Sequence, residues 1–235
     1  NYNELISYRL GFHAEYTTKR EILEGISELA QKYKAPVFTH SSETKSEVEG
    51  CIERYGKTPT ELFEEIGLWN WGGGGYHSVW LSGNDLQIYK KRGLWAIINA
   101  GSNSKLASGI CDVQKMSNMG INLAVGTDGP SSNNALDMFR EMYLISVLQK
   151  LKYNDAAAMD ANEILKAATS GSAKCMGLTD CDCIAEGKLA DLMIIDLERP
   201  NMQPINNITK NLVYSGSKDD VKMTMINGCL LYTSP

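Results

Sequence analysis

Apolar runs alternate along this chain with amphipathic stretches, at a spacing that predicts a series of strand-then-helix units. SYRLGFH reads as a strand ending at His13. REILEGISELAQKYK follows, with Ile22, Leu23, Ile26, Leu29, Ala30 and Tyr33 on one helical face. APVFTH is a short buried strand ending at His40, followed by the helical SETKSEVEGCIERYG and a second helix, TPTELFEEIG, with Thr60 or Pro59 at its start. The third unit is YHSVWL with GNDLQIYKKRG, the fourth is GLWAIINAG with a segment ending at Met119, and the fifth is INLAVGTDG with NALDMFREMYLISVLQKLK. Consecutive units in one sense require a parallel sheet with helical crossovers. Nearly continuous apolar strands imply burial on both sheet faces.

The positions of the histidines favour a barrel over an open sheet. All three, His13, His40 and His77, lie where an apolar run gives way to a polar loop, and Asp128 in AVGTDGP does the same. Strand exits in a barrel share one rim, so residues distant in sequence converge on one pocket. Imidazoles and a carboxylate on that rim suggest a metal site with a water to activate. A full barrel has eight strands and five are counted, so the expectation is an incomplete barrel whose amino-terminal part is missing. After ANEILKAATSGSAKCMG the texture changes. GKLADLMIIDL, LVYSG and VKMTMINGCLLY read as short alternating strands with a turn at Asn227 and Gly228, predicting a small β appendage. The expected fold is therefore α/β, a partial TIM-like (β/α) barrel over 1–180 followed by a small β-sandwich segment over 181–235. The closing YTSP reads as an ending that is not native.

Composition narrows the partners. The chain has 235 residues, 43% hydrophobic and 22% charged, enough for a full core. A formal charge of −5 with no basic block argues against nucleic acid or an acidic membrane surface and leaves a small-molecule substrate as the expectation. No apolar run reaches the ~18 residues of a spanning helix, and NYNELISYRL lacks the features of a signal peptide, so a cytoplasmic location is expected. Six dispersed cysteines read as reduced thiols, and the pair in TDCDC lacks the spacing of a zinc clip. Gly72 to Gly75 lack the following Lys-Ser or Lys-Thr of a phosphate loop and read as a flexible loop. Strand edges left open by an incomplete barrel would favour a homo-oligomer.

GFHAEYT, THSSET, YHSVWLS, NAGSNSKLASG, GTDGPSSNNALDMFREM and EGKLADLMIIDL, in that order, resemble the amidohydrolase superfamily. Within it they resemble the branch of 5'-methylthioadenosine and S-adenosylhomocysteine deaminases with their chlorohydrolase relatives. The resemblance implies a metal-dependent (β/α) barrel, here about strands four to eight, with one divalent ion, zinc. His40 and Asp128 would be metal ligands, and Asp128 also the base that takes a proton from water. His77 would hydrogen-bond that water or the tetrahedral intermediate, with its second nitrogen oriented by a partner the sequence does not reveal. Glu43 would protonate a ring nitrogen of the substrate, although an acid at the start of a helix also favours the helix dipole. His13 and Ser132 would touch substrate, and Ser132 could equally cap the next helix. Asn99 sits at the fourth strand exit, where close relatives often place a histidine just before it; Ile98 stands there instead.

The family's His-x-His pair is not in this sequence. The implied reaction is hydrolytic deamination of a purine-like heterocycle such as methylthioadenosine or S-adenosylhomocysteine. The alternatives are dechlorination, a guanine- or cytosine-type deamination, or an inactive partial barrel. Alone, the chain is expected to be inactive.

Overall fold

The computed structural model describes residues 5–231, and the YTSP ending lies outside them. It contains two compact units, Asn1–Leu123 and Ala124–Pro235. The limits expected from texture, 1–180 and 181–235, divide the chain differently.

The first unit begins with β1 (Leu10–Gly11), a 3-10 turn at Glu15–Thr17, α1 (Arg20–Tyr33) and β2 (Val37–Ser41). It continues through α2 (Lys45–Tyr55), α3 (Pro59–Glu65), β3 (Gly73–His77), α4 (Gly83–Arg92) and β4 (Trp95–Ile98). It ends with α5 (Ala100–Lys105), α6 (Val113–Asn118) and the start of β5 (Asn122–Val125). The sheet order is β1-β2-β3-β4-β5, and the β1/β2, β2/β3 and β3/β4 pairs are parallel. This is the parallel α/β sheet that the repeated units predict. Trp69, Tyr89, Phe63, Leu62, Leu68, Leu94 and Ile98 fill the interior, none of them more than 2% exposed.

Of the helices of this unit, α2, α3, α4 and α6 start at side-chain caps. Thr58 and Glu61 form a reciprocal capping box on α3, and Ser82 and Asp85 form another on α4. The Thr58 hydroxyl also donates to the buried Asp85 carboxylate at 2.5 Å, joining the two helix starts. The expected start of α3 at Pro59 holds; the capping residue is Thr58, one position earlier.

Three readings of the pattern change. In α1, Leu23, Ser27 and Ala30 are the buried residues, while Ile22, Leu29 and Tyr33 are exposed. The glycine run is no loop. Gly73–Gly75 form most of β3, where side chains would not fit: a Cβ on Gly74 would meet the Trp95 backbone, and one on Gly75 the Tyr89 hydroxyl. The strand that carries His77 therefore ends at His77 and does not run on through Trp80. Likewise β1 is two residues long and stops before His13.

The second unit holds the end of β5, α7 (Pro130–Asn133), α8 (Met138–Tyr153), α9 (Ala161–Lys166), a wide π-type turn at Ala167–Gly171 and α10 (Ser172–Cys175). β6 (Leu192–Ile195), α11 (Ile208–Tyr214), β7 (Val221–Ile226) and β8 (Cys229–Leu231) complete it. The last three strands form an antiparallel sheet in the order β6-β7-β8. Asn227 and Gly228, both at positive φ, make the expected two-residue hairpin turn. LVYSG is the correction here. Its Leu212, Val213 and Tyr214 are the last turn of α11 and Ser215 is the C-cap; the start of α11 is capped by the Asn207 side chain accepting from the Lys210 amide, and its Tyr214 hydroxyl meets Ser146 of α8 at 2.9 Å. Among the described residues the six cysteines form no disulfide. Among the described residues no helix is long and apolar enough to cross a membrane.

Candidate metal centre and active site

The parallel register delivers two histidines to neighbouring strand ends. His40 of β2 stands opposite Tyr76, and Ser41 stands opposite His77, the last residue of β3. His77 then takes φ +70 and Ser78 φ +50, a left-handed exit that is uncommon away from glycine. The turn is anchored by the Ser78 amide donating to Ser41 O at 3.2 Å. The imidazoles of His40 and His77 stack with centroids 5.2 Å apart and planes at 28°.

Hydrogen bonds fix how these rings present their nitrogens. His40 Nδ1 lies 2.8 Å from the backbone carbonyl of His13. A carbonyl only accepts, so Nδ1 carries the proton and, in the neutral ring, Nε2 keeps its lone pair. His77 Nδ1 lies 2.7 Å from Asn103 Oδ1, likewise an acceptor. His77 Nε2 is buried and has no hydrogen-bond partner. Zinc takes imidazole in this form: a neutral ring, its far nitrogen tied to an oxygen, its near nitrogen bare. His40, the ligand that the family resemblance implies in this unit, therefore presents the form that fits the metal, and His77 presents the same form beside it. The orienting partner of His77, hidden in the sequence, is Asn103. Its only sequence signal was its place in NAGSNSKLASG.

Glu43 joins the pair from the turn after β2. Its Oε2 is 3.8 Å from His77 Nε2, too far for a hydrogen bond, and its Oε1 accepts from the Ser108 hydroxyl at 3.0 Å. The turn itself is held by Glu47, whose carboxylate accepts from the Ser42 amide at 2.8 Å and the Glu43 amide at 2.7 Å. Burial pushes the Glu47 carboxyl above the usual carboxylate range, and the amides of Ser42, Glu43 and Thr44 oppose that rise. Glu43 precedes the N-cap of α2, which is Thr44, so it is not a first-turn acid of that helix; Glu47 has that place.

His13 is exposed, with Nδ1 2.9 Å from the Thr17 hydroxyl and its ring 4.8 Å from that of His40. Its carbonyl also receives the His40 amide at 2.9 Å, so the loop after β1 is sewn to β2 through backbone atoms. A buried carboxylate, Glu15, anchors this loop to α2 through Arg54. Burial raises the neighbouring Tyr16 phenol, and Glu47 and Glu43 raise it further.

In the second unit, Asp128 has φ +59 just past β5, and its Oδ1 accepts from the Gly129 amide at 2.7 Å. Asn133 braces this turn by donating to Thr127 O at 2.6 Å and to the buried Glu141 carboxylate at 2.7 Å. Ser132 lies inside the single turn of α7, and the N-cap is Gly129, so the capping role is not what holds Ser132 there. Asn99 is buried at the exit of β4, with its Oδ1 unpartnered.

Residues 2–231 match the amidohydrolase family. The chain is 42% identical over 224 residues to a 5-methylthioadenosine/S-adenosylhomocysteine deaminase of Pyrococcus furiosus, covering 95% of this chain and 53% of that protein. It is 37% identical over 229 residues to a 5'-deoxyadenosine deaminase of Methanothermobacter thermautotrophicus, covering 97% and 53%. Among solved structures, an adenosine deaminase from Xanthomonas campestris with bound zinc superposes with a TM-score of 0.92 at 34% identity, over 97% of this chain and 52% of that one. An atrazine chlorohydrolase from Arthrobacter aurescens shares the fold, with a TM-score of 0.87 at 21% identity over 95% and 49%. The chain thus spans about half the length of the curated relatives it matches. With the match running along almost its whole length, the chain belongs to the amidohydrolase family.

Proposed function

We propose that the protein carrying this chain is a zinc-dependent hydrolytic deaminase acting on a purine-like heterocycle such as 5'-methylthioadenosine or S-adenosylhomocysteine. The observation that carries the reading is the shared state of His40 and His77: Nδ1 of each is held by an oxygen, which leaves both Nε2 lone pairs available. The named relatives supply the substrate class.

His40 and Asp128 would hold the ion. When bound, zinc supplies Lewis acidity that makes hydroxide available near neutral pH. Asp128 accepts a proton from the attacking water as its general base. His77, with a bare Nε2, begins the cycle as a hydrogen-bond acceptor for that water. Glu43 gives a proton to a ring nitrogen, which makes the attacked carbon more electrophilic; after the water oxygen adds, the exocyclic amine takes the proton held by Asp128 and leaves as ammonia with the C–N bond pair, while the hydroxyl of the adduct returns its proton to Glu43 and closes to the carbonyl. His13 and Ser132 contact the substrate.

The test is ammonia release by the zinc-loaded, full-length protein with methylthioadenosine, S-adenosylhomocysteine, adenosine and guanine. Turnover of the first two above guanine is expected. No release from any of them at full zinc occupancy overturns the reading.

A further inference from the structure

The loop after α5 reaches back over the site and grips the acid. Ser108 is 5% exposed, and its hydroxyl donates to Glu43 Oε1 from 65 positions further along the chain. Ser108 is held in turn. Its amide donates to Asn103 O at 2.9 Å, and its carbonyl accepts the Trp80 indole N–H at 2.7 Å. Gly109, at φ +130, packs so closely that a Cβ there would lie 2.9 Å from Val79 Cγ1. The loop has little freedom to carry the hydroxyl elsewhere.

Glu43 is therefore fixed at both ends. Glu47 holds its amide, and Ser108 holds one carboxyl oxygen. The other oxygen, Oε2, is the one beside His77 Nε2. The two oxygens of a free carboxylate are equivalent, and a hydroxyl donating to one directs the proton to the other.

We infer that Ser108 is a positioning residue that makes Oε2 the proton-carrying oxygen of Glu43. The inference rests on the proposed role of Glu43 as proton donor. In that step the Oε2–H bond breaks and its electron pair stays on Glu43. The ring nitrogen's lone pair forms the new N–H bond. Ser108 neither gains nor loses a proton, and its hydroxyl stabilises the carboxylate that results.

The experiment compares Ser108→Ala, Ser108→Thr and Trp80→Phe in the zinc-loaded, full-length protein, with Glu43→Gln alongside. Ser108→Ala is expected to lower kcat about tenfold, the scale of one hydrogen bond to a charged group. KM should stay within about twofold, zinc content should be unchanged, and a crystal structure should show the Glu43 carboxyl rotated away from its parent orientation. Ser108→Thr, which keeps the hydroxyl, should recover most of the rate. Trp80→Phe removes only the brace on the Ser108 carbonyl and should lose less than Ser108→Ala, in kcat and not in KM.

A Ser108→Ala enzyme with parent-like kcat and an unmoved Glu43, while Glu43→Gln is inactive, overturns the positioning role alone. Full activity in Glu43→Gln overturns the reading of Glu43 and this inference with it.

Discussion

Glu43 Oε2 lies 3.8 Å from His77 Nε2, a buried nitrogen with no hydrogen-bond partner. The gap is wider than a hydrogen bond, which leaves both atoms able to engage a third group placed between them. Glu43→Gln keeps the size of the side chain and removes the proton donor. Turnover is expected to fall by about 10²-fold or more while zinc content stays at the parent level. Metal analysis alongside a rate assay checks this. A parallel loss of both would make Glu43 a structural or ligand residue.

Asn103 holds the far nitrogen of His77 at 2.7 Å from within the buried turn of α5. Asn103→Leu removes the acceptor at similar volume and frees the ring to change tautomer. Loss of such an orienting partner costs about 10- to 100-fold in activity or metal affinity. The expected outcome is a fall of that size in kcat, with the melting temperature changed by only a few degrees. Zinc titration by calorimetry tells the two effects apart.

Asp128→Asn retains the shape of the turn and the Gly129 contact while removing a charge. It is expected to abolish most turnover, because the proposed metal ligand and the proposed base are the same carboxylate. Rates are to be compared at full zinc occupancy. Activity within a few-fold of the parent contradicts the assignment.

The exit at His40 was legible because the apolar APVFT gives way there to a polar loop, a boundary that survives folding, whereas His77 closes a strand made mostly of glycine and precedes the apolar VWL, so the strand was placed after His77 and not before it. Glu43 was legible through the family resemblance carried by THSSET and its neighbouring motifs, with its three-residue spacing from His40 as support, and its place outside the α2 first turn needed the Thr44 cap to be seen. Asn103 and Ser108 were not legible as partners. They reach His77 and Glu43 across the sheet from 26 and 65 residues away, and local periodicity holds no record of such pairings. The glycine strand failed for the opposite reason. Hydrophobic periodicity is written in side chains, and Gly73–Gly75 have none; what selects them is the space that Trp95 and Tyr89 leave. LVYSG misled because an apolar pair in a short segment fits helix and strand equally, and the Asn207 cap decided between them.

Gly75→Ala tests the packing argument for β3. Its new methyl would meet the Tyr89 hydroxyl and Ser41 Cβ, neither of which has room to withdraw in a fully buried site. Overpacking of this kind costs about 1–3 kcal/mol. Chemical denaturation is expected to show a loss in that range, and Gly83→Ala, where nothing lies within 4 Å of the new Cβ, should show none from clash.

The claim on which the rest depends is that Nε2 of His40 is a zinc ligand, because His13 O holds the opposite nitrogen. The most direct measurement is anomalous diffraction at the zinc edge from crystals of the full-length protein. The account predicts a single zinc peak about 2.0–2.1 Å from His40 Nε2, the usual zinc–imidazole distance, and loss of that peak in His40→Ala. A peak that persists in His40→Ala, or that lies away from His40 in the parent, would contradict it.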